Sequence, residues 1–170
     1  MIVIVFGLPG SGKSYFAFRL SILINAVYIK SDQVRKQVSG KRTYSLNEKM
    51  LVYQEMLLQM KEFIKQKRNL VLDATFYKND IRKKFMDEVG LNGGITFIEV
   101  IADESLIRER LKTTRLDSDA DFEVYKVIKE QWEPLYEPHL ILRSTNDNIA
   151  EMLLKTADYL HLKDDKRTDK

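Results

Sequence analysis

The sequence has no cysteine, only three prolines and seven glycines, and just two histidines. Without cysteine there can be no disulfide, no thiolate nucleophile and no zinc site built on sulfur. His139 and His161 have no partners at ligand spacing, so a histidine metal site is not expected. No apolar run approaches the roughly 20 residues that a membrane-spanning helix needs. The absence of cysteine and of such a run makes the cytoplasm the expected location.

What the sequence does contain is an ordinary globular mixture. Its 170 residues are 44% hydrophobic and 31% charged, which suits one domain with one core. The net charge of +3 permits a phosphorylated or nucleic-acid partner without requiring one. Met1 to Phe6 is apolar but lacks the basic start and cleavage site of a signal peptide, and we expect a strand there. We expect a single domain over residues 1–162 and a frayed, charged tail over residues 163–170.

Short apolar runs alternate with helical patterns along the chain. The runs predict buried strands over residues 2–6, 26–29, 70–72, 95–101 and 140–142. The patterns between them predict helices over residues 13–24, 46–67, 79–89, 104–113, 121–133 and 149–160. This alternation predicts an α/β fold in which a five-stranded parallel sheet lies between two layers of helices. Ligands of such sheets bind beyond the carboxyl ends of the strands.

A glycine-rich motif follows the first predicted strand and opens the first helix. It matches G-x-x-x-x-G-K-[ST], the P-loop that binds the phosphates of a nucleoside triphosphate, here expected to be ATP. The predicted nucleotide-binding residues are Gly7, Leu8, Pro9, Gly10, Ser11, Gly12, Lys13 and Ser14. Lys13 is expected to bridge the β- and γ-phosphates, and the Ser14 hydroxyl to ligate Mg²⁺. The competing interpretation is a glycine-rich turn without a ligand.

Two further acids follow predicted strands. Asp73 ends the third strand, where a carboxylate can hold Mg²⁺, usually through water, although it can also simply cap the following turn. Asp32 follows the second strand, and Arg35 lies one helical turn further on the same face. Asp32 can accept the proton of an attacking hydroxyl, and Arg35 can hold the acceptor. A helix cap at Ser31 or Asp32 with a solvated Arg35 explains the same residues equally well.

Taken together, these motifs resemble a family of small P-loop kinases. The matching strings are Gly7 to Ser14, Ser31-Asp32-x-x-Arg35 and Leu72-Asp73-Ala74-Thr75-Phe76. The family includes the kinase domain of phage polynucleotide kinase and the zeta toxins, and the resemblance extends from Met1 to about Tyr136. It implies a three-layer P-loop NTPase fold with a helical lid. It also implies that Asp32 is the general base and that Arg35 contacts the acceptor.

The resemblance places the lid at about residues 108–120. Arg108, Arg110, Lys112 and Arg115 crowd toward the end of the preceding helix, where basic residues also simply complement the helix dipole. In the family, lid arginines stabilise the charge that develops during transfer. Arg110 and Arg115 match these catalytic arginines, and which of the two reaches the γ-phosphate is left open.

The acceptor side has weaker candidates. They are the 40–44 segment and the residues Phe76, Tyr77, Lys78, Arg82, Lys83 and Lys84. Phe76 and Tyr77 could stack on a base, whereas exposed lysines are usually only solvated. The segment Ser144-Thr145-Asn146 could border the adenine or form a plain loop. The sequence therefore favours a kinase that uses ATP and Mg²⁺ to phosphorylate a hydroxyl of a nucleic-acid 5′ end or a small molecule. The alternative is a P-loop ATPase or nucleotide switch that acts through a partner.

Overall fold

The computed structural model describes residues 1–38, 45–90, 94–112 and 121–162. These residues contain a parallel sheet with the strand order β2-β3-β1-β4-β5. The strands are β1 (Ile2–Phe6), β2 (Val27–Lys30), β3 (Leu70–Asp73), β4 (Ile95–Ile101) and β5 (Leu140–Arg143). The predicted five-stranded parallel sheet is confirmed, and its strands start and end within a residue of their predicted positions.

Seven helices connect and cover the strands in the described part of the chain. They are α1 (Lys13–Leu23), α2 (Ser31–Val38), α3 (Leu46–Lys65), α4 (Asn79–Val89), α5 (Glu104–Lys112), α6 (Phe122–Glu130) and α7 (Ile149–Tyr159). α3 begins as predicted, because the Ser45 side chain accepts a hydrogen bond from the backbone N–H of Glu48. No described helix has the combination of length and apolarity that crossing a membrane requires.

The predicted helix over residues 121–133 ends early, at Glu130. The chain beyond it is bound to the segment that follows β3. The backbone N–H of Glu133 donates to the Tyr77 carbonyl at 2.9 Å, and the Glu133 carboxylate accepts from Lys78 Nζ at 2.9 Å and from the Asn79 N–H at 2.7 Å. These contacts hold residue 133 against the segment after β3, and Pro134 disfavours the helical conformation at the residue before it.

The sheet has an apolar layer on each face because successive side chains of a strand point to opposite faces. Ile2, Ile4 and Phe6 of β1 pack into the cluster that also contains buried residues of α3 and α4. Val3 and Val5 pack into a second cluster with buried residues of α1 and α7. Both faces are therefore covered, which explains why the central strands read as continuous apolar runs. The predicted three-layer α/β fold is confirmed.

Arg82 lies in the interior of this fold and not in an acceptor cleft, so the prediction for this residue is wrong. Its side chain is fully buried. The guanidinium donates to the carbonyl of Phe76 at 2.6 Å, to the carbonyl of Glu133 at 2.5 Å and to the Asn79 side chain. It thereby joins the segment after β3 to the segment after α6, and it supplies the donor for the buried Phe76 carbonyl.

We expect Arg82→Met to lower the free energy of unfolding by about 3 kcal/mol, since it removes the donor of the buried Phe76 carbonyl and of the partly buried Glu133 carbonyl. Urea unfolding followed by circular dichroism measures this change. Lys84→Met, on the exposed face of the same helix, is the matched control and should change stability by less than about 0.5 kcal/mol. Wild-type stability in the Arg82 variant would contradict the structural role.

Candidate active site

The P-loop lies at the carboxyl end of the central strand β1, and its glycines are required by close packing. Gly7 has a φ of 152°, and a Cβ there would lie 2.3 Å from the Val100 carbonyl oxygen. Gly12 has a φ of 92°, and a Cβ there would lie 2.7 Å from Ser144 Oγ. Larger residues would clash and strain the backbone at both positions. The loop can therefore form only with glycine, and it leads directly into the N-terminus of α1, where anions are favoured.

Lys13 and Ser14 form the first turn of α1. Lys13 Nζ donates to the Leu8 carbonyl across the loop at 3.5 Å. Burial raises the pKa of Asp73 at the end of β3, and the positive charge of Lys13 partly opposes that rise. The predicted phosphate-binding lysine and the predicted metal-binding acid are thus close enough to act on one ligand.

Asp73 is fully buried and receives a hydrogen bond that the sequence did not predict. The Tyr28 hydroxyl, at the second position of β2, donates to Asp73 Oδ2 at 2.7 Å and lies 3.3 Å from the Ser14 carbonyl oxygen. Burial raises the pKa of Asp73, opposed by Lys13 and by the hydroxyls of Ser14 and Tyr28. Burial and the charge of Asp73 also raise the pKa of Tyr28, which keeps its hydroxyl protonated as a donor.

The other carboxylate oxygen, Asp73 Oδ1, is buried and accepts no hydrogen bond within the described part of the chain. A buried oxygen without a partner carries a desolvation penalty that a cation can offset. Mg²⁺ prefers a small number of such oxygen ligands, completed by water and phosphate. Asp73 and the neighbouring Ser14 therefore fit the magnesium site that the sequence predicts.

We expect Tyr28→Phe to raise the Mg²⁺ concentration needed for half-maximal activity about 10-fold, because groups that orient a ligating carboxylate contribute to metal affinity on that scale. The measurement is phosphoryl transfer as a function of Mg²⁺ at a fixed ATP concentration. Tyr159→Phe, on a partly exposed tyrosine of α7, is the control. An unchanged Mg²⁺ requirement in Tyr28→Phe would show that this hydroxyl does not support the metal site.

Asp32 and Arg35 lie together on α2 and face the same pocket as the P-loop. Arg35 Nη1 donates to Asp32 Oδ1 at 2.9 Å, and Arg35 Nε lies 3.0 Å from Glu48 Oε1 of α3. The Arg35 side chain is 12% exposed, so the alternative of a solvated arginine is wrong. Asp32 is 23% exposed and remains accessible from the pocket. The structure therefore holds a carboxylate in a defined position beside the phosphate-binding loop.

Arg110 reaches the nucleotide side of the pocket from α5. Its guanidinium donates to the Thr145 carbonyl at 2.7 Å, to Ser144 Oγ at 3.1 Å and to the Gly10 carbonyl at 3.3 Å. Arg110 thus joins the P-loop to the segment after β5, which the sequence analysis associated with adenine. Its predicted role in transfer stays a prediction. Arg115 and the rest of the predicted lid after residue 112 lie outside the described residues.

The acceptor candidates from the sequence are mostly not in the pocket. Phe76 is fully buried and packs on Tyr53 and Phe85, so it cannot stack on a base. Lys78 pairs with Glu133, and Lys83 pairs with Asp87. Among the members of this group that the structure describes, only Tyr77 lines the pocket. The 40–44 segment lies outside the described residues.

One pocket of about 880 Å³ contains the P-loop, Asp32, Arg35 and Asp73. This volume lies at the upper end of the range of small-molecule sites. Several polar residues of its lining were missed by the sequence analysis, among them Tyr28 and Lys49. Neither belongs to a motif. Tyr28 lies within an apolar strand, and Lys49 follows the Ser45–Glu48 cap that begins α3, so only the packing of the elements brings them to the site.

Comparison with protein families gives a match over most of the chain. A family model described as an AAA domain matches residues 2–135, nearly the same region that resembles small P-loop kinases. Comparison with curated proteins gave no significant match.

Several solved structures have the same fold over nearly their whole length. A gluconokinase from Sinorhizobium meliloti 1021 is 19% identical with a TM-score of 0.65, covering 94% of this chain and 95% of that one. The APS kinase CysC of Mycobacterium tuberculosis, in complex with AMPPNP and APS, is 15% identical with a TM-score of 0.71, covering 94% and 97%. Kti12 of Chaetomium thermophilum, in complex with ADP-AlF3, is 17% identical with a TM-score of 0.62, covering 93% and 98%. At such low identity the likeness shows the fold, and the P-loop fold predicted from the sequence is confirmed.

Proposed function

This chain belongs to the AAA domain family, and from that premise we propose that it is a kinase that transfers the γ-phosphate of ATP to a hydroxyl group. The observation that carries the proposal is that a carboxylate, Asp32, shares one pocket with the P-loop and with Asp73. The P-loop is sufficient for nucleotide binding. Removal of a proton from an acceptor needs a further accessible carboxylate in the same pocket, and Asp32, held by Arg35, meets that requirement.

The proposed transfer uses residues of this chain in distinct roles. The P-loop amides and Lys13 hold the β- and γ-phosphates, while Ser14 and Asp73 would hold Mg²⁺, which when bound would neutralise charge on the phosphates. The acceptor oxygen forms a bond to the γ-phosphorus as the bond to the bridging β–γ oxygen breaks, and ADP leaves with that electron pair. Asp32 takes the proton of the acceptor hydroxyl. Arg35 orients both Asp32 and the acceptor.

The arginine lid completes this proposal. Arg110 and Arg115 stabilise the charge that spreads over the transferring group. In the described conformation Arg110 is bonded to Gly10, Ser144 and Thr145, so its contribution to transfer requires that it exchange some of these bonds for phosphate contacts.

The competing function is an ATPase or nucleotide switch, which shares the P-loop and Asp73. Of the three structural neighbours described above, the gluconokinase and the APS kinase are named as kinases, whereas Kti12 is not. The competitor would need a residue that positions water and would not need an acid bonded to an arginine on the acceptor side. The Asp32–Arg35 pair therefore favours the kinase.

Incubation with γ-labelled ATP and Mg²⁺ tests the proposed function. The reaction should contain a mixture of small hydroxylated metabolites in one arm and a 5′-hydroxyl oligonucleotide in the other, with Lys13→Ala as the inactive control. Label transferred to an organic acceptor supports the kinase. Label that moves only to water, at the same rate with and without either mixture, would instead support the ATPase.

A further inference from the structure

Lys49 is a pocket residue whose charge has no partner among the described residues. It lies near the start of α3 and lines the pocket that contains Asp32. Its ammonium lies 5.4 Å from the centroid of the Tyr77 ring, and it makes no hydrogen bond or ion pair to any residue in the described ranges. The neighbouring segment 39–44 contains no acid in its sequence. Arg35 and Lys78, by contrast, are each paired with a carboxylate.

This lysine is also poorly solvated. Burial lowers the pKa of Lys49, and the positive charge of Arg35 lowers it further. A partly buried cation that no acid contacts directly carries a desolvation penalty, which a bound anion offsets. The aromatic face of Tyr77 offsets only a part of this penalty.

We propose that Lys49 binds an anionic group of the acceptor, so that the substrate is a small hydroxylated molecule that also bears a carboxylate or a phosphate. This inference rests on the proposed function and names the substrate class of the same site. The anion contacts Lys49 while the hydroxyl to be phosphorylated faces Asp32.

Arg35 connects the helix that carries Asp32 with the helix that carries Lys49. Its guanidinium donates a hydrogen bond to Asp32 on α2 at 2.9 Å and forms an ion pair with Glu48 on α3 at 3.0 Å, and Glu48 is the residue next to Lys49 in the sequence. The helix that carries the base and the helix that carries Lys49 are therefore held together. Val52 and Tyr77, both buried at the pocket wall, provide apolar surface for the carbon skeleton between the two groups.

A small acceptor is favoured over a polynucleotide end. Binding a nucleic-acid strand requires several phosphate contacts and exposed rings for the bases. Phe76 and Arg82 are fully buried, and Lys78 and Lys83 are paired with acids. Lys49, a cation of the described lining that makes no ion pair with an acid there, suits one oxyanion.

The test measures binding of inorganic phosphate to protein already loaded with Mg·AMP-PNP, so that the P-loop is occupied. Equilibrium dialysis with labelled phosphate compares the wild type with Lys49→Met, Lys49→Arg and the surface control Lys83→Met. We expect saturable binding that weakens about 10-fold or more in Lys49→Met, is largely retained in Lys49→Arg and is unchanged in Lys83→Met. A 5′-hydroxyl hexathymidylate, measured by the same method, should bind no more tightly than phosphate.

Each outcome decides the proposal. No saturable phosphate binding by the loaded wild type, or equal binding by Lys49→Met, overturns the anion site. Binding of the oligonucleotide that is much tighter than that of phosphate and depends on Lys49 overturns the small-molecule assignment. Failure of the proposed function is recognised separately, as failure to bind Mg·AMP-PNP in the loading step or as label from ATP that reaches only water.

Discussion

Asp32→Asn is expected to lower phosphoryl transfer by about 10²- to 10⁴-fold while nucleotide binding stays close to that of the wild type, because general-base catalysis contributes on that scale. Asparagine keeps an oxygen that can accept the hydrogen bond from Arg35, so the position of α2 against α3 is preserved. The substitution removes the ability to take a proton and little else. Single-turnover transfer from γ-labelled ATP measures the loss, and calorimetry with Mg·AMP-PNP measures the retained affinity.

The matched control for this experiment is Asp80→Asn, on an exposed acid in the first turn of α4. It should transfer phosphate at the wild-type rate. Phosphoryl transfer by Asp32→Asn at a near wild-type rate would show that Asp32 is not the general base. A parallel loss of nucleotide affinity would show that the residue acts on the structure of the pocket instead.

Lys13→Ala is expected to lower transfer by about 10³-fold, since one preorganised charged donor at the transferring group contributes on that order. Affinity for Mg·ATP should also fall, because the lysine contacts the phosphates before and during transfer. The backbone of the P-loop should stay in place, since its shape depends on Gly7 and Gly12 and not on the lysine side chain. Transfer rates at saturating ATP, together with calorimetry, separate the two effects.

Lys155→Ala is the control for the removal of a lysine charge outside the nucleotide site. Lys155 lies on the exposed face of α7 and pairs with Glu151 at 2.6 Å, an interaction of little energetic weight. It should leave both transfer and affinity unchanged. If Lys13→Ala behaved like this control, the P-loop would not be a phosphate site.

The parts of the protein that sequence reasoning predicted are those whose signal is local. The P-loop is a contiguous string, and its glycines are dictated by the backbone path at Gly7 and Gly12. The strands were found because burial on both faces makes them continuously apolar. Asp32 and Asp73 were found because parallel strands end on the same side of a sheet, so that acids following them must meet.

The rest depends on packing that no local pattern encodes. From the sequence alone, Arg82 cannot be distinguished from a solvated basic residue on a helix. In the structure its guanidinium is the donor for the carbonyls of Phe76 and Glu133. These two carbonyls belong to segments that are far apart in the chain. Tyr28 and Lys49 reach the pocket only because β2 lies beside β3 and α3 packs against α2. The end of α6 was misplaced for the same reason, since contacts of Glu133 with the segment after β3 decide it.

The most direct test of the account is a crystal structure with Mg·AMP-PNP bound. We expect the triphosphate to follow the P-loop, with the metal between Ser14 and Asp73. The γ-phosphate should face Asp32 across a gap that one acceptor oxygen fills, at about 3 Å from both the γ-phosphorus and the carboxylate. A γ-phosphate directed away from Asp32, with no room for an acceptor between them, would contradict the kinase mechanism.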